Sequence, residues 1–75
     1  MKEIIEDIAK ALVDNPEEVR VRELQGKQTT IFELKVAASD RAKIIGEHGR
    51  TEHAIRTILE AAGKKHDRHV TLEIL

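Results

Sequence analysis

From Lys2 to Val13 the apolar positions are Ile4, Ile5, Ile8 and Leu12, with Ala9 and Ala11 between them. This is the i, i+4, i+8 spacing of a helix with one buried face. The helix is expected to end at Asp14-Asn15-Pro16, because the residue before a proline is driven out of the helical region. Residues 18 to 24 then alternate, Val19 and Val21 against Arg20 and Arg22, which is the period of a half-buried strand. Gln25-Gly26-Lys27-Gln28 reads as a turn. The alternation resumes more strongly from Thr29 to Ala37, with Phe32, Leu34 and Val36 on one face and Glu33 and Lys35 on the other, so the two strands should form a hairpin.

Beyond the hairpin, Ser39 is placed to cap a short helix with Asp40 at its positive end and Ala42, Ile44 and Ile45 as its apolar positions. Gly46 and Gly49 stop it. A longer helix is expected from about Arg50 to Ala62, carrying Ile55, Ile58 and Leu59 and closing at Gly63, the usual helix-ending residue, with Lys64 and Lys65 beside its negative end. Val70, Leu72 and Ile74 give a last strand. The order helix, strand, strand, helix, helix, strand predicts an α+β fold in which three helices pack on one face of a three-stranded mixed sheet. The connection between the second and third strands is a crossover, so those two should lie parallel. Residues 1 to 75 read as a single domain.

Composition narrows what such a domain can do. The 75 residues hold 13 Lys+Arg and 14 Asp+Glu, a formal net charge of −1, and one aromatic side chain, Phe32. Folds that stack bases on two or three aromatic rings are excluded, as is binding of a polyanion through bulk charge. There is no cysteine, hence no disulfide framework and no thiolate ligand or nucleophile. No apolar run approaches the roughly 20 residues of a membrane span, and Glu3, Glu6 and Asp7 interrupt the start where a signal peptide would be apolar. A soluble, cytoplasmic protein with no membrane association is expected. His48 and His53 are five apart across a glycine, and neither an HExxH motif nor a Walker loop is present. Neither an enzyme, a metal site nor a cofactor is expected.

The informative stretch is Lys43-Ile44-Ile45-Gly46-Glu47-His48-Gly49-Arg50-Thr51. Two glycines three apart, between a short helix and a longer one, leave a loop that a ligand's backbone can approach because no Cβ stands in the way. The amides of that loop and the first turn of the next helix form an anion site suited to phosphate. Taken alone, the tetrapeptide is weak evidence and fits a plain interhelical turn better than a binding loop.

Within this element order, Ile44-Ile45-Gly46-x-x-Gly49-Arg50-Thr51 resembles the KH domain, in its prokaryotic type II arrangement. The opening helix leading into Val13-Asp14-Asn15-Pro16-Glu17-Glu18-Val19, together with Ala54-Ile55-Arg56-Thr57 and the closing Glu73-Ile74-Leu75, is similar to the KhpA family of small bacterial single-KH RNA-binding proteins. That resemblance implies a groove for about four unstacked nucleotides of single-stranded RNA, their backbone held by the GxxG loop. Gly46 and Gly49 would admit the backbone, and Ile44 and Ile45 would link the core to the groove floor. Arg50 would contact phosphate, with Arg41 and Lys43 on the approach, Arg56 further along, and Lys27 in the hairpin turn bordering the opposite side. It also implies self-association, or pairing with a second KH-containing, Jag-type protein.

The chain departs from the family where Lys, Arg or Gly is usual between the glycines, carrying Glu47 and His48 instead, and again at Glu52 and His53. Between residues 41 and 56 four cations face two carboxylates, a net of +2. A carboxylate within about 6 Å of a phosphate costs on the order of 1 kcal/mol at surface dielectric. The expectation is weak, salt-sensitive RNA binding of low sequence selectivity, strengthening as pH falls toward the imidazole range, in an RNA chaperone or post-transcriptional regulator. The alternative is a dimerisation adaptor of weakened RNA affinity. It draws on the last helix, whose apolar positions from Ala54 to Ala62 spread over roughly 160°, wider than packing on one sheet requires.

Overall fold

In the computed structural model, which describes residues 1–75, the chain forms α1 (Lys2–Leu12), β1 (Arg20–Gln25), β2 (Thr29–Lys35), α2 (Arg41–Ile45), α3 (Arg50–Lys65) and β3 (His69–Ile74). Short 3-10 turns occupy Pro16–Glu18, Ala38–Asp40 and Glu47–Gly49. β2 is the central strand of a mixed sheet. It pairs antiparallel with β1 through Val21↔Leu34 and Leu24↔Ile31, and parallel with β3 through Phe32↔Leu72 and Leu34↔Ile74, as the crossover argument predicts.

That register lines up Thr30, Phe32 and Leu34 with Val70 and Leu72 on one face, and all five are buried. The helices close over them with Ile5, Ala9, Ile44, Ile55 and Leu59. Removing one large apolar side chain of this kind from water contributes about 1.5–3 kcal/mol, so these positions dominate the stability of so short a chain. No helix is long and apolar enough to cross a membrane.

Three local expectations are corrected. The buried stripe of α1 is Ile5, Ala9 and then Val13, while Ile4 and Leu12 are 50% and 41% exposed. The stripe Ile4-Ile8-Leu12 has the same spacing, rotated by one residue. α1 lies against β1, an edge strand, so only a narrow strip of the helix is covered. β1 begins at Arg20 because Pro16–Glu18 make a 3-10 turn, leaving Val19 buried at the joint.

The third correction concerns Gly63, which does not end α3. The helix continues to Lys65, and Gly63 is buried inside its last turn. A Cβ there would lie 2.6 Å from Val70 Cγ2 and 2.7 Å from the Arg68 carbonyl oxygen, so the glycine is there to let β3 pass close to the helix. Termination falls instead to Asp67, which takes the left-handed conformation at φ 55°. Arg68 N–H donates to the Gly63 carbonyl (2.8 Å) and Asp67 N–H to that of Lys64 (3.2 Å). This is the Schellman closure with an aspartate in the place usually taken by glycine.

Candidate functional site

Between α2 and α3 the backbone makes two reversals, and each glycine serves a different need. Gly46 has φ 78° and ψ 170°, a region essentially restricted to glycine. A Cβ on it would strike the Thr51 side chain, with Thr51 Cβ at 2.8 Å and the Thr51 nitrogen at 2.9 Å. His48 (φ 57°, ψ 23°) and Gly49 (φ 72°, ψ 16°) are consecutive left-handed residues, and Gly49 N–H closes the turn on the Gly46 carbonyl at 3.1 Å. Around Gly49 nothing lies within 4 Å of the Cβ position. One glycine is closed by the protein's own packing and the other is open to a visitor. No side chain caps the start of α3, whose first-turn N–H groups carry the positive end of the helix dipole.

The cations expected around this loop are unequally available. Arg50 is exposed, with no carboxylate within 4 Å, and Arg41 reaches only the Ile74 carbonyl at 3.5 Å. Lys43 is held between two carboxylates, its ammonium 2.5 Å from Asp14 Oδ2 and 3.5 Å from Asp40 Oδ1. The Asp14 hydrogen bond, which outweighs partial desolvation, raises the Lys43 pKa above its ordinary value. Arg56 pairs with Glu52 at 2.7 Å, and its Nε is buried without a partner. Glu47 is exposed in the loop, 3.5 Å from His48 Nε2. Ile44 is fully buried and Ile45 half-buried.

Ser39 does not cap α2, and neither does the Asp40 side chain. Asp40 is instead 0% exposed and holds the end of α1 to the start of α2. Its Oδ1 accepts from the Asp14 N–H at 3.1 Å, and its Oδ2 from the N–H and the side-chain amide of Asn15, both at 3.0 Å. Burial pushes this carboxyl up, but those bonds and the Lys43 ammonium prevail and hold its pKa below the ordinary value. Asp14 and Asp40 are the site residues that sequence reasoning missed. With them counted, Arg41, Lys43, Arg50 and Arg56 meet Asp14, Asp40, Glu47 and Glu52, and the local balance falls from +2 to zero.

Lys27 is not brought to the loop. It lies where β2 and β3 begin, its carbonyl held by Arg68, whereas Arg41 touches the far end of β3. Six strand residues at about 3.3 Å each separate the two ends by roughly 20 Å. No group of three or more His, Asp or Glu side chains is placed to hold a metal ion.

An opening helix, a hairpin, two helices joined through Gly46-x-x-Gly49 and a closing strand parallel to the hairpin's second strand define a KH domain of the type II order. The chain belongs to the KhpA/KhpB KH-domain family, whose model matches residues 2–74. It is 51% identical over 75 residues to a protein of Clostridium acetobutylicum named RNA-binding protein KhpA, with both chains covered in full. It is 52% identical to the protein of that name from Chlamydia pneumoniae, covering all of this chain and 96% of the other, and 48% identical to that of Aquifex aeolicus, covering 95% of it. No solved structure gives a significant match.

Proposed function

We propose that this chain binds single-stranded RNA weakly and with little sequence selectivity, holding the sugar-phosphate backbone at Gly46-Glu47-His48-Gly49 and the start of α3. The carrying observation is Gly49, which is left-handed, open on its outer side and followed by a helix start that no side chain caps. The relatives' name, RNA-binding protein KhpA, supports the same reading. Arg50 supplies the available charge, while Lys43 and Arg56 contribute only as far as Asp14 and Glu52 release them. Such a module suits a cytoplasmic RNA chaperone or post-transcriptional regulator. NMR titration with a short single-stranded RNA tests it: amide shifts should concentrate on Gly46 to Arg50, and a response that leaves this loop unmoved sinks the reading.

A second reading rests on α3. Ile58 is 52% exposed, with Ala54 and Ala61 exposed on the same side, a surface on which another helix can come close. It suits self-association or pairing with a second KH protein, and the family's description joins KhpA with KhpB. Mass in solution tests this. A monomer whose behaviour is unchanged by Ile58→Asp defeats it.

A further inference from the structure

Two arginines are fixed by uncharged acceptors, and they differ in what is left over. Arg68 donates from Nε, Nη1 and Nη2 to Thr30 Oγ1 (2.9 Å) and to the carbonyls of Lys27 (3.3 Å), Gly26 (3.0 Å) and Thr29 (3.0 Å). Its fork is used up in holding the hairpin turn. Arg20 donates from Nη1 alone, to the carbonyls of Glu17 and Val19, both at 2.8 Å. Its Nε and Nη2 have no partner in the chain, and no carboxylate lies within 4 Å of its charge. Directly opposite in the β1–β2 register stands Lys35, exposed and equally without a carboxylate. Like charges facing each other across a ladder destabilise it, and nothing in the chain offsets this pair. In the next row Arg22 faces Glu33 and pairs with it at 3.8 Å. Val21 and Leu34, between the two rows, point to the core, so both rows lie on the sheet face turned away from the helices. Leu75 completes the outer row, its N–H donating to the Leu34 carbonyl at 2.9 Å and its side chain exposed. Arg20, Val21, Arg22, Glu33, Lys35 and Leu75 line an open depression of about 220 Å³. Its side chains carry three positive charges against one negative, and an α-carboxylate at Leu75 still leaves +1.

We propose that this outer sheet face is a docking site for an acidic segment of a partner protein, in which a carboxylate side chain sits beside an aliphatic one. A carboxylate between Arg20 and Lys35 meets a guanidinium already held in position. It accepts from Nε and Nη2 as a bidentate pair and relieves the repulsion across the ladder. The aliphatic neighbour covers Leu75. A phosphate satisfies the two charges as well, but a phosphodiester strand brings nothing to cover Leu75, and the Gly46-x-x-Gly49 loop belongs to the helical layer on the other side of the sheet. The proposal goes beyond the RNA reading and does not depend on it.

The test is an NMR titration of the full chain with short acetylated and amidated peptides, one alternating aspartate with leucine and one asparagine with leucine, and with a short mixed-sequence single-stranded RNA. The aspartate peptide, added to about 1 mM, should shift the amides of Arg20, Arg22, Lys35 and Leu75 and leave Gly46 to Arg50 in place. The asparagine peptide should bind about tenfold or more weakly, the loss expected of one charge-assisted contact. Lys35→Glu sets a carboxylate opposite Arg20 at an exposed position, so the fold should survive, which its urea midpoint verifies, and the aspartate peptide should be lost by about tenfold or more. Arg20→Lys keeps the charge but gives up the fork, and should lose about threefold or more. Two peptides that bind alike, shifts outside this face, a Lys35→Glu chain that binds as the parent does, or no shift at all overturns the proposal. So does an RNA that moves Arg20 and Lys35 and leaves the loop unmoved, which makes this face a phosphate contact and overturns the loop reading with it. An intact peptide response in a chain whose loop ignores RNA overturns the loop reading alone.

Discussion

Asp14, just past the end of α1, holds the Lys43 ammonium at 2.5 Å although 29 residues separate them in the chain. The lysine lies one turn before the loop, and its charge is spoken for before any phosphate arrives. Asp14→Asn should free it. RNA affinity at about 50 mM salt is expected to rise three- to fivefold, with the salt slope steeper by about 0.7, the value of one further phosphate on a single strand. An unchanged slope would mean that Lys43 stays with Asp40.

Glu47 is the one carboxylate in the loop itself, 85% exposed, within the segment proposed to hold the RNA backbone. Reversing its charge in Glu47→Lys should tighten binding roughly tenfold at low salt, equally for unrelated sequences, because the gain is electrostatic and carries no base readout. Affinity that is unchanged, or improved for one sequence only, argues against backbone contact here.

The two glycines should respond differently to alanine. Gly46→Ala combines a glycine-only backbone region with a collision against Thr51, and is expected to destabilise the fold by about 3 kcal/mol or more. Gly49→Ala meets nothing and carries only the left-handed penalty of about 1–2 kcal/mol, yet it places a methyl group where the RNA backbone should approach. Urea midpoints should therefore rank Gly46→Ala as the less stable, while Gly49→Ala remains folded and loses RNA affinity.

Asp40 and Lys43 set opposite edges of a pH window. Burial raises the Asp40 carboxyl, its hydrogen bonds prevail, and the folded value lies below the ordinary one. Its contribution is complete above the ordinary carboxylate pKa of about 3.9 and fades as pH falls through the lower folded value. Lys43, raised chiefly by Asp14, contributes fully below about 10.4 and loses its share as pH rises through its raised value. Asp40→Asn should lower the unfolding midpoint at about pH 7, with the gap to the parent narrowing below about pH 4. A gap of constant size down to about pH 2.5 would show that the negative charge is not what matters.

The element order and the parallel pair of strands were legible because Phe32-Leu34-Val36 and Val70-Leu72-Ile74 state their period locally, and Gly46 and Gly49 announce a reversal. The phase of α1 was not, since Ile4-Ile8-Leu12 and Ile5-Ala9-Val13 are equally good stripes and only packing on β1 chooses between them. Asp40 reads as a helix-start residue because its partners Asp14 and Asn15 are 26 and 25 positions away. Gly63 reads as a terminator, since only the placed β3 shows that Val70 needs its missing Cβ. What escapes the sequence in each case is a contact between separate segments, and the one at Asp40 decides how much charge Lys43 has to offer.

Arg68 grips the hairpin turn chiefly through the carbonyls of Gly26, Lys27 and Thr29. A carbonyl belongs to every residue type, so the side chains at the tip are free to drift from one relative to the next without loosening the clasp. The arginine has no such latitude, because a lysine cannot span four acceptors with one ammonium. Variation in this corner of the molecule should therefore gather at positions 26 to 28 and avoid position 68, and any chain that abandons the arginine should show a remodelled turn.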